Sequence, residues 1–297
     1  MIRLTADQTI NSFAPGHRPV AHVDPGSRLL LSTADCFDGQ IRYPETKVSH
    51  IDLGRANPAT GPVFVNGAEP GDALVIDIHD LSPAGWGVTV AVPGMGLLGD
   101  RVASERSTVV EVGIEAIRLG QLRLPTKPML GVVGVAPASG DISTVRPGRH
   151  GGNLDCVLIA PGARVHLPVF QPGALFAAGD MHAAMADGEV SGTGIEVPGT
   201  ALLELGLKKQ AGLEWPWVED ADCCAVLTSA RTLEAACREA MAQFVDRLSA
   251  ALGLDFPDAY VVAGSSVSLR ICQVVNPDVT VRAQIAKSVL PRGLSLL

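Results

Sequence analysis

The sequence predicts a β-rich α+β fold: a sandwich- or barrel-like main body, then a smaller C-terminal α+β portion. Three observations carry that expectation. Short apolar runs with strand-like alternation fill residues 1–205. Pro-Gly turns punctuate them at Asp24-Pro-Gly, Glu69-Pro-Gly-Asp, Ala160-Pro-Gly, Gln171-Pro-Gly and Val197-Pro-Gly. Beyond residue 206 a long amphipathic stretch takes over. Glycine accepts the positive φ that a type II turn needs, so each Pro-Gly pair marks a chain reversal. Several short strands separated this way suggest a sandwich or barrel.

Each element has its own signal. Val20–Val23 reads as a strand entering the first turn, and Arg28–Cys36 as a second strand. After Glu69–Asp72, residues Leu74, Ile76 and Ile78 alternate with Val75, Asp77 and His79, the period of a half-buried strand. Residues 163–169 repeat the pattern of turn followed by strand. Thr232–Gly253 is the clearest helix. Leu233, Ala236, Cys237, Ala240, Met241, Phe244, Val245 and Leu248 form one apolar stripe. Thr232 is suited to cap its start, and Gly253 to end it. A second, shorter helix is expected to begin near Pro257 and Asp258. Ser268–Val275 reads as a strand stopped by Asn276-Pro277. A boundary near residue 206 therefore divides a β-rich body, 1–205, from a C-terminal portion, 206–297. Trp215 and Trp217, just past it, either line a pocket or pack.

Composition narrows the function classes. The 297 residues are 47% hydrophobic and 18% charged, as in a globular protein. The net charge is −8, and no dense basic cluster offers a grip on nucleic acid. No apolar run is long enough to span a membrane. The N-terminus shows no apolar signal core. The 6 Cys form no C-x-x-C pair. Reduced thiols in a cytoplasmic protein are the expectation.

The chemistry is expected at Asp180, His182, Asp187, Glu189 and Glu196, charged groups set between apolar flanks. Such groups are costly to bury unless paired or bound to a metal. In an extended segment Asp180 and His182 face the same way, and can share a divalent cation or pair with each other. Asp187-Gly188 has the form of a hairpin turn, with Glu189 opening the returning strand. Glu189 and Glu196 then reach one site only through a bulge, which Gly192 and Gly194 permit.

A second constellation is His150-Gly-Gly-Asn153-Leu-Asp155. Its double glycine allows a sharp turn or close backbone approach. A third is Asp35-Cys36-Phe-Asp38-Gly39. Asp35 ends an apolar strand, and Cys36 is a candidate nucleophile without a histidine nearby in sequence. There is no G-x-S-x-G elbow, Walker A loop or H-E-x-x-H. Gly94-Met-Gly-Leu-Leu-Gly matches a dinucleotide fingerprint by letter but lacks its strand–turn–helix context.

In these motifs the chain resembles the acetamidase/formamidase family. The resemblance covers most of the length. It runs through Asp35 with Gly39-Gln-Ile, Asn57-Pro-Ala-Thr-Gly-Pro-Val-Phe-Val-Asn-Gly-Ala-Glu-Pro-Gly-Asp, Gly131-Val-Val-Gly-Val-Ala-Pro and His150-Gly-Gly-Asn-Leu-Asp. It continues in Leu167-Pro-Val-Phe-Gln-Pro-Gly-Ala-Leu-Phe, and is strongest at Gly179-Asp-x-His-Ala-Ala and Asp187-Gly-Glu-Val, ending in Glu196. It implies hydrolysis of a short amide, such as formamide or acetamide, to carboxylate and ammonia. It also implies a β-rich fold and a homo-oligomer of two or more copies. The positions that match are Asp35, His150, Asp155, Asp180, His182, Glu189 and Glu196. The chain departs from the family at Met181, usually Gly, at Met185-Ala186, often Gln-Gly, and at Asn66, usually Glu.

The residue types add a divalent metal ion to that picture, with zinc first and calcium or another ion as alternatives. His150, Asp180 and His182 are the expected ligands, with Asp155 or Asp35 completing the set. Glu189 or Glu196, with Asp35 beside them, is expected to move protons. Two other classes stay open: a metal-independent amidase using Cys36, and a non-catalytic small-molecule binding protein on the same fold.

Overall fold

Four of the five expected Pro-Gly turns form, while Val197-Pro-Gly runs extended into a strand that starts at Gly199, and the strands assemble into two large open sheets. The computed structural model describes residues 1–297. The first sheet has nine strands, in the order Ile2–Leu4, Ser27–Thr33, Gly199–Lys208, Ala73–Pro83, Arg164–Pro168, Trp217–Glu219, Cys223–Ala230, Val279–Ala286 and Val267–Gln273. The second has seven. Its order is Pro147–Gly148, Gly151–Asn153, Met129–Gly134, Phe176–His182, Ala59–Val65 and Thr9–Ile10, with Ala21–Val23 also paired to Ala59–Val65. Neither sheet closes on itself, so no barrel forms.

The alternation read from the sequence decides what is buried. Leu74, Ile76 and Ile78 turn inward, with Leu29, Leu31 and Leu203 of the same sheet. They meet Val63, Leu130, Val133 and Phe176 of the second sheet in one core of 38 buried residues. The boundary expected near residue 206 falls inside strand Gly199–Lys208, and the first sheet runs on across it.

A second core of 15 buried residues lies where two helices cover the far end of the first sheet. Helix α1, Leu233–Leu252, starts as expected: the Thr232 hydroxyl accepts from Ala235 N–H at 3.2 Å. It stops at Gly253, whose φ of 65° few other residues adopt readily. Ala236, Ala240, Phe244, Val245 and Leu248 are buried, while Leu233, at the first turn, is exposed. The working stripe is therefore narrower than the sequence suggests. Helix α2, Phe256–Ser266, is capped by Asp255. Both tryptophans pack: Trp217 lies 5.4 Å from the Phe244 ring, and Trp215 Nε1 donates to Glu239 at 2.8 Å. No helix is long and apolar enough to cross a membrane.

The strand that matters most is Phe176–His182. It runs between Met129–Gly134 and Ala59–Val65 and is buried along its whole length. The chain then returns antiparallel to its end. Ala183 N–H donates to Ile195 O at 2.8 Å and Val197 N–H to Met181 O at 2.9 Å, which sets Glu196 opposite His182. The expected tight turn at Asp187-Gly188 is not what makes this reversal; a wide loop over 185–194 does. Asp187 is instead taken up by Arg282, which donates to both its oxygens at 2.7 and 2.8 Å. Gly188 N–H donates to Cys272 O at 2.9 Å. The tight turn itself forms inside this loop, with Glu189 N–H donating to Ala186 O at 3.3 Å.

Candidate active site

His182 stands at the centre of a buried acidic cluster. Its Nε2 lies 3.1 Å from Glu196 Oε2, 3.5 Å from Asp180 Oδ1 and 4.0 Å from Asp155 Oδ1. These contacts are ionic rather than hydrogen-bonded, since all three carboxylate oxygens lack a hydrogen-bond partner. Glu189 closes on Asp155 and His182, with ligand atoms within 4.8 Å of one another. Cys36 does the same with Asp180 and Glu196. No lysine or arginine makes an ion pair with Asp155, Asp180, Glu189 or Glu196.

The backbone is bent to bring these groups together. Asp155, Asp180 and Glu189 have φ values of 44°, 55° and 45°. Non-glycine residues rarely occupy that left-handed region, and they persist there only when the surroundings hold them. Gly131 makes room for them. A Cβ there would sit 2.5 Å from Asp155 Oδ1 and collide with Asp180 Oδ2 as well. Gly194 does the same behind the imidazole, where a Cβ would lie 2.8 Å from His182 Nδ1.

The outer oxygens are held in place. Asn276 Nδ2 donates to Asp155 Oδ2 at 2.7 Å, Asn57 Nδ2 to Asp180 Oδ2 at 3.3 Å, and Gly194 N–H to Glu196 Oε1 at 2.8 Å. Each of these acids thus has one oxygen fixed by a neutral donor and the other aimed into the cluster. That is how a carboxylate is prepared to hold a cation.

The electrostatics follow. Burial, then the neighbouring Asp180, pushes Asp155 up to about 6. Burial pushes Glu196 up to about 7 against the pull of His182. Burial raises Glu189 well above the ordinary carboxylate range, and Asp155 adds to this. Burial alone would lower His182, but the charges of Glu196 and Asp180 hold it well above its usual value. Burial and the same two acids raise the Cys36 thiol well above its ordinary value, so it stays protonated.

Of the residues expected from the sequence, Asp155, Asp180, His182, Glu189 and Glu196 come together. His150 is not drawn into this set. After it, the chain turns through Gly151 and Gly152, both at positive φ, and its ring packs edge-on to Phe13 at 5.2 Å. Burial lowers it to about 4, with no carboxylate offsetting the effect. Asp35 is also engaged elsewhere. Its oxygens accept from Phe37 N–H at 2.9 Å and Gly39 N–H at 3.1 Å, closing the loop that carries Cys36. Of the departures, Met181 is buried in the main core, whereas Met185 places its sulfur 3.3 Å from His182 Nδ1. Sequence reasoning missed Asn57, Asn276 and Gly131. Asn57 and Gly131 lie in the longer motifs, but nothing local marks them as partners of the acids.

Comparisons with known proteins show the family and the fold. The model of the acetamidase/formamidase family matches residues 2–143 and 138–219. The acetamidase of Mycolicibacterium smegmatis is 28% identical over 274 residues, covering 69% of this chain and 66% of that protein. The chain spans just under two thirds of the length of the curated relatives it matches. The crystal structure of a predicted acetamidase/formamidase from the thermophile Thermoanaerobacter tengcongensis is 39% identical. It superposes with a TM-score of 0.95 over 97% of this chain and 96% of that one. The acetamidase of Bacillus halodurans is 38% identical, with a TM-score of 0.94 over 96% and 97% of the two chains. The chain belongs to the acetamidase/formamidase family.

Proposed function

We propose that this protein hydrolyses amide C–N bonds, releasing ammonia and a carboxylate, with a divalent cation held among Asp155, Asp180 and His182, beside Glu189 and Glu196. The observation that carries the reading is the convergence of three buried, unpartnered carboxylate oxygens on one imidazole nitrogen. Four buried acids with a single imidazole and no lysine or arginine to balance them are costly unless protonated or neutralised. Oxygen donors with one imidazole nitrogen, and a thiol adjacent, suit zinc, while the oxygens alone also suit calcium or magnesium. When bound, such an ion polarises a carbonyl and lowers the pKa of water toward ~7.

The chain's own groups supply the rest. Glu189 and Glu196, whose carboxyls burial holds above the ordinary range, are suited to take a proton from the attacking water and give it to the departing nitrogen. Water oxygen bonds to the carbonyl carbon, the C–N bond breaks, and the nitrogen leaves as ammonia. His182, held by the acids around Nε2, fixes the cluster's centre. Asn57 and Asn276 keep Asp180 and Asp155 aimed inward.

A second reading rests on Cys36, whose sulfur lies in the same cluster beside Asp180 and Glu196. Attack by this thiol would need Glu196 to remove its proton, since burial and the acids keep it protonated. One assay separates the two: ammonia release from short amides by as-purified, chelator-treated and metal-restored protein. The cation reading expects activity to fall with chelation and return with one divalent ion. Activity indifferent to chelation but lost on thiol alkylation transfers the role to Cys36. We infer further that the protein acts as a homo-oligomer in the cytoplasm, a reading supported by the family resemblance; light scattering and cell fractionation test it.

A further inference from the structure

We propose that the preferred substrate is not formamide or acetamide but a primary amide carrying a larger apolar group, of roughly four to eight carbons. This rests on the hydrolase reading above and specifies its substrate class.

The observation is a cavity of about 470 Å³ that reaches the acidic cluster at Glu189. One wall is the wide loop over 185–194, and the other is the hairpin Ala116–Leu119 and Leu122–Pro125. Glu189 belongs both to this cavity and to the cluster. Met185 lines the cavity and touches the back of His182. Gly194, also in the wall, donates to Glu196. An amide seated against Glu189 therefore has its side chain pointing into this space.

Size and lining argue for what fills it. At about 30 Å³ per water-sized group, the four heavy atoms of acetamide take up roughly a quarter of the volume. The remainder has the dimensions of a small-molecule site, mostly apolar with a few polar groups. Leu119, Leu124, Pro125, Met185, Val190 and Ile195 provide the apolar surface. A methyl group would leave those side chains against water. Each methylene buried there favours binding roughly fourfold. Met185 has a flexible, polarisable side chain that adapts to differently shaped chains.

The test is a chain-length series of linear primary amides, from formamide to octanamide, assayed for ammonia release by the wild type and by Leu124→Trp. Leu124 lines the cavity and is no part of the acidic cluster, and the larger indole would take up part of the space. The expected result is a kcat/KM that rises at least tenfold from acetamide to hexanamide. Leu124→Trp should then cut hexanamide turnover at least tenfold and leave acetamide within about twofold. Because the wild-type series decides alone, a poorly folded variant does not rescue the idea. Activity highest on formamide or acetamide and flat or falling beyond overturns the inference and leaves the hydrolase reading intact. An equal loss on both amides in a folded Leu124→Trp also overturns it. No ammonia from any amide overturns the hydrolase reading and this inference with it.

Discussion

Asp180 and Asp187 lie in the same stretch of chain, yet the molecule satisfies them in opposite ways. Asp187 receives both arms of the Arg282 guanidinium, and Arg282 is itself almost fully buried. Asp180, with Asp155 and Glu196, receives one neutral donor each, and the three share one imidazole with no arginine or lysine. The fold could have placed an arginine in the centre as it did at the edge. Instead it puts a histidine among four acids, and leaves three oxygens without partners. The edge pair ties the wide loop to the C-terminal portion. The central cluster stores unsatisfied charge, which is useful only if something with positive charge occupies it.

The largest effects should come from the centre. Removing the proton carrier, by Glu189→Gln or Glu196→Gln, should lower kcat by about 10²- to 10⁴-fold in at least one of the two; steady-state ammonia release measures it. If neither substitution matters, the acids are not the proton carriers. Gly131→Ala should be nearly as damaging, on the order of 10²-fold, because its methyl displaces Asp155 and Asp180 together. A folded, fully active Gly131→Ala would mean that their placement is not critical.

Stability should show the reverse contrast. Arg282→Met leaves Asp187 unpaired and should cost about 2 kcal/mol in urea unfolding. This falls short of the 3–5 kcal/mol of a fully buried pair, because the Asp187 side chain is 36% exposed. Glu196→Gln should instead stabilise the metal-free protein at pH 8. The sign follows from linkage. Glu196 is raised from 4.5 to about 7 in the folded protein, so the native state holds its proton longer than the unfolded chain. Its stabilising effect is full below 4.5 and lost as pH rises through about 7. Metal-free protein should weaken across that window, and Glu196→Gln should flatten the slope. A slope unchanged by the substitution would place the charge imbalance elsewhere. The smallest effect is a control far from both regions: Thr232→Ala removes the cap of α1 and should cost about 1 kcal/mol without touching turnover.

The same contrast separates what was legible in the sequence from what was not. Helix α1 was readable because its cap, stripe and stop are all local. Strand Ala73–Pro83 was readable because its burial follows a period of two. Asp180, His182, Glu189 and Glu196 were readable as a set because charge between apolar flanks is costly, whereas Asp155 stood in a separate motif with His150. Their partners were not: Asn276 reaches Asp155 across 121 residues of chain, and Asn57 reaches Asp180 across 123. The tight turn expected at Asp187-Gly188 does form, Glu189 N–H donating to Ala186 O at 3.3 Å, but it opens no returning strand, and Arg282, distant in sequence, claims the aspartate. His150 was grouped with the acids by its motif, but two left-handed glycines intervene and the ring lies against Phe13 instead. Local signals describe elements well; they do not show which distant side chain will arrive to satisfy a charge.

The central claim is that the acidic centre, unlike the edge, is built around a cation. Divalent ions should be titrated into chelator-stripped protein by calorimetry, comparing wild type, His182→Ala and Arg282→Met. The account predicts tight binding in the wild type and in folded Arg282→Met, with loss of that binding in His182→Ala. Equal binding in all three, or none in the wild type, would contradict it.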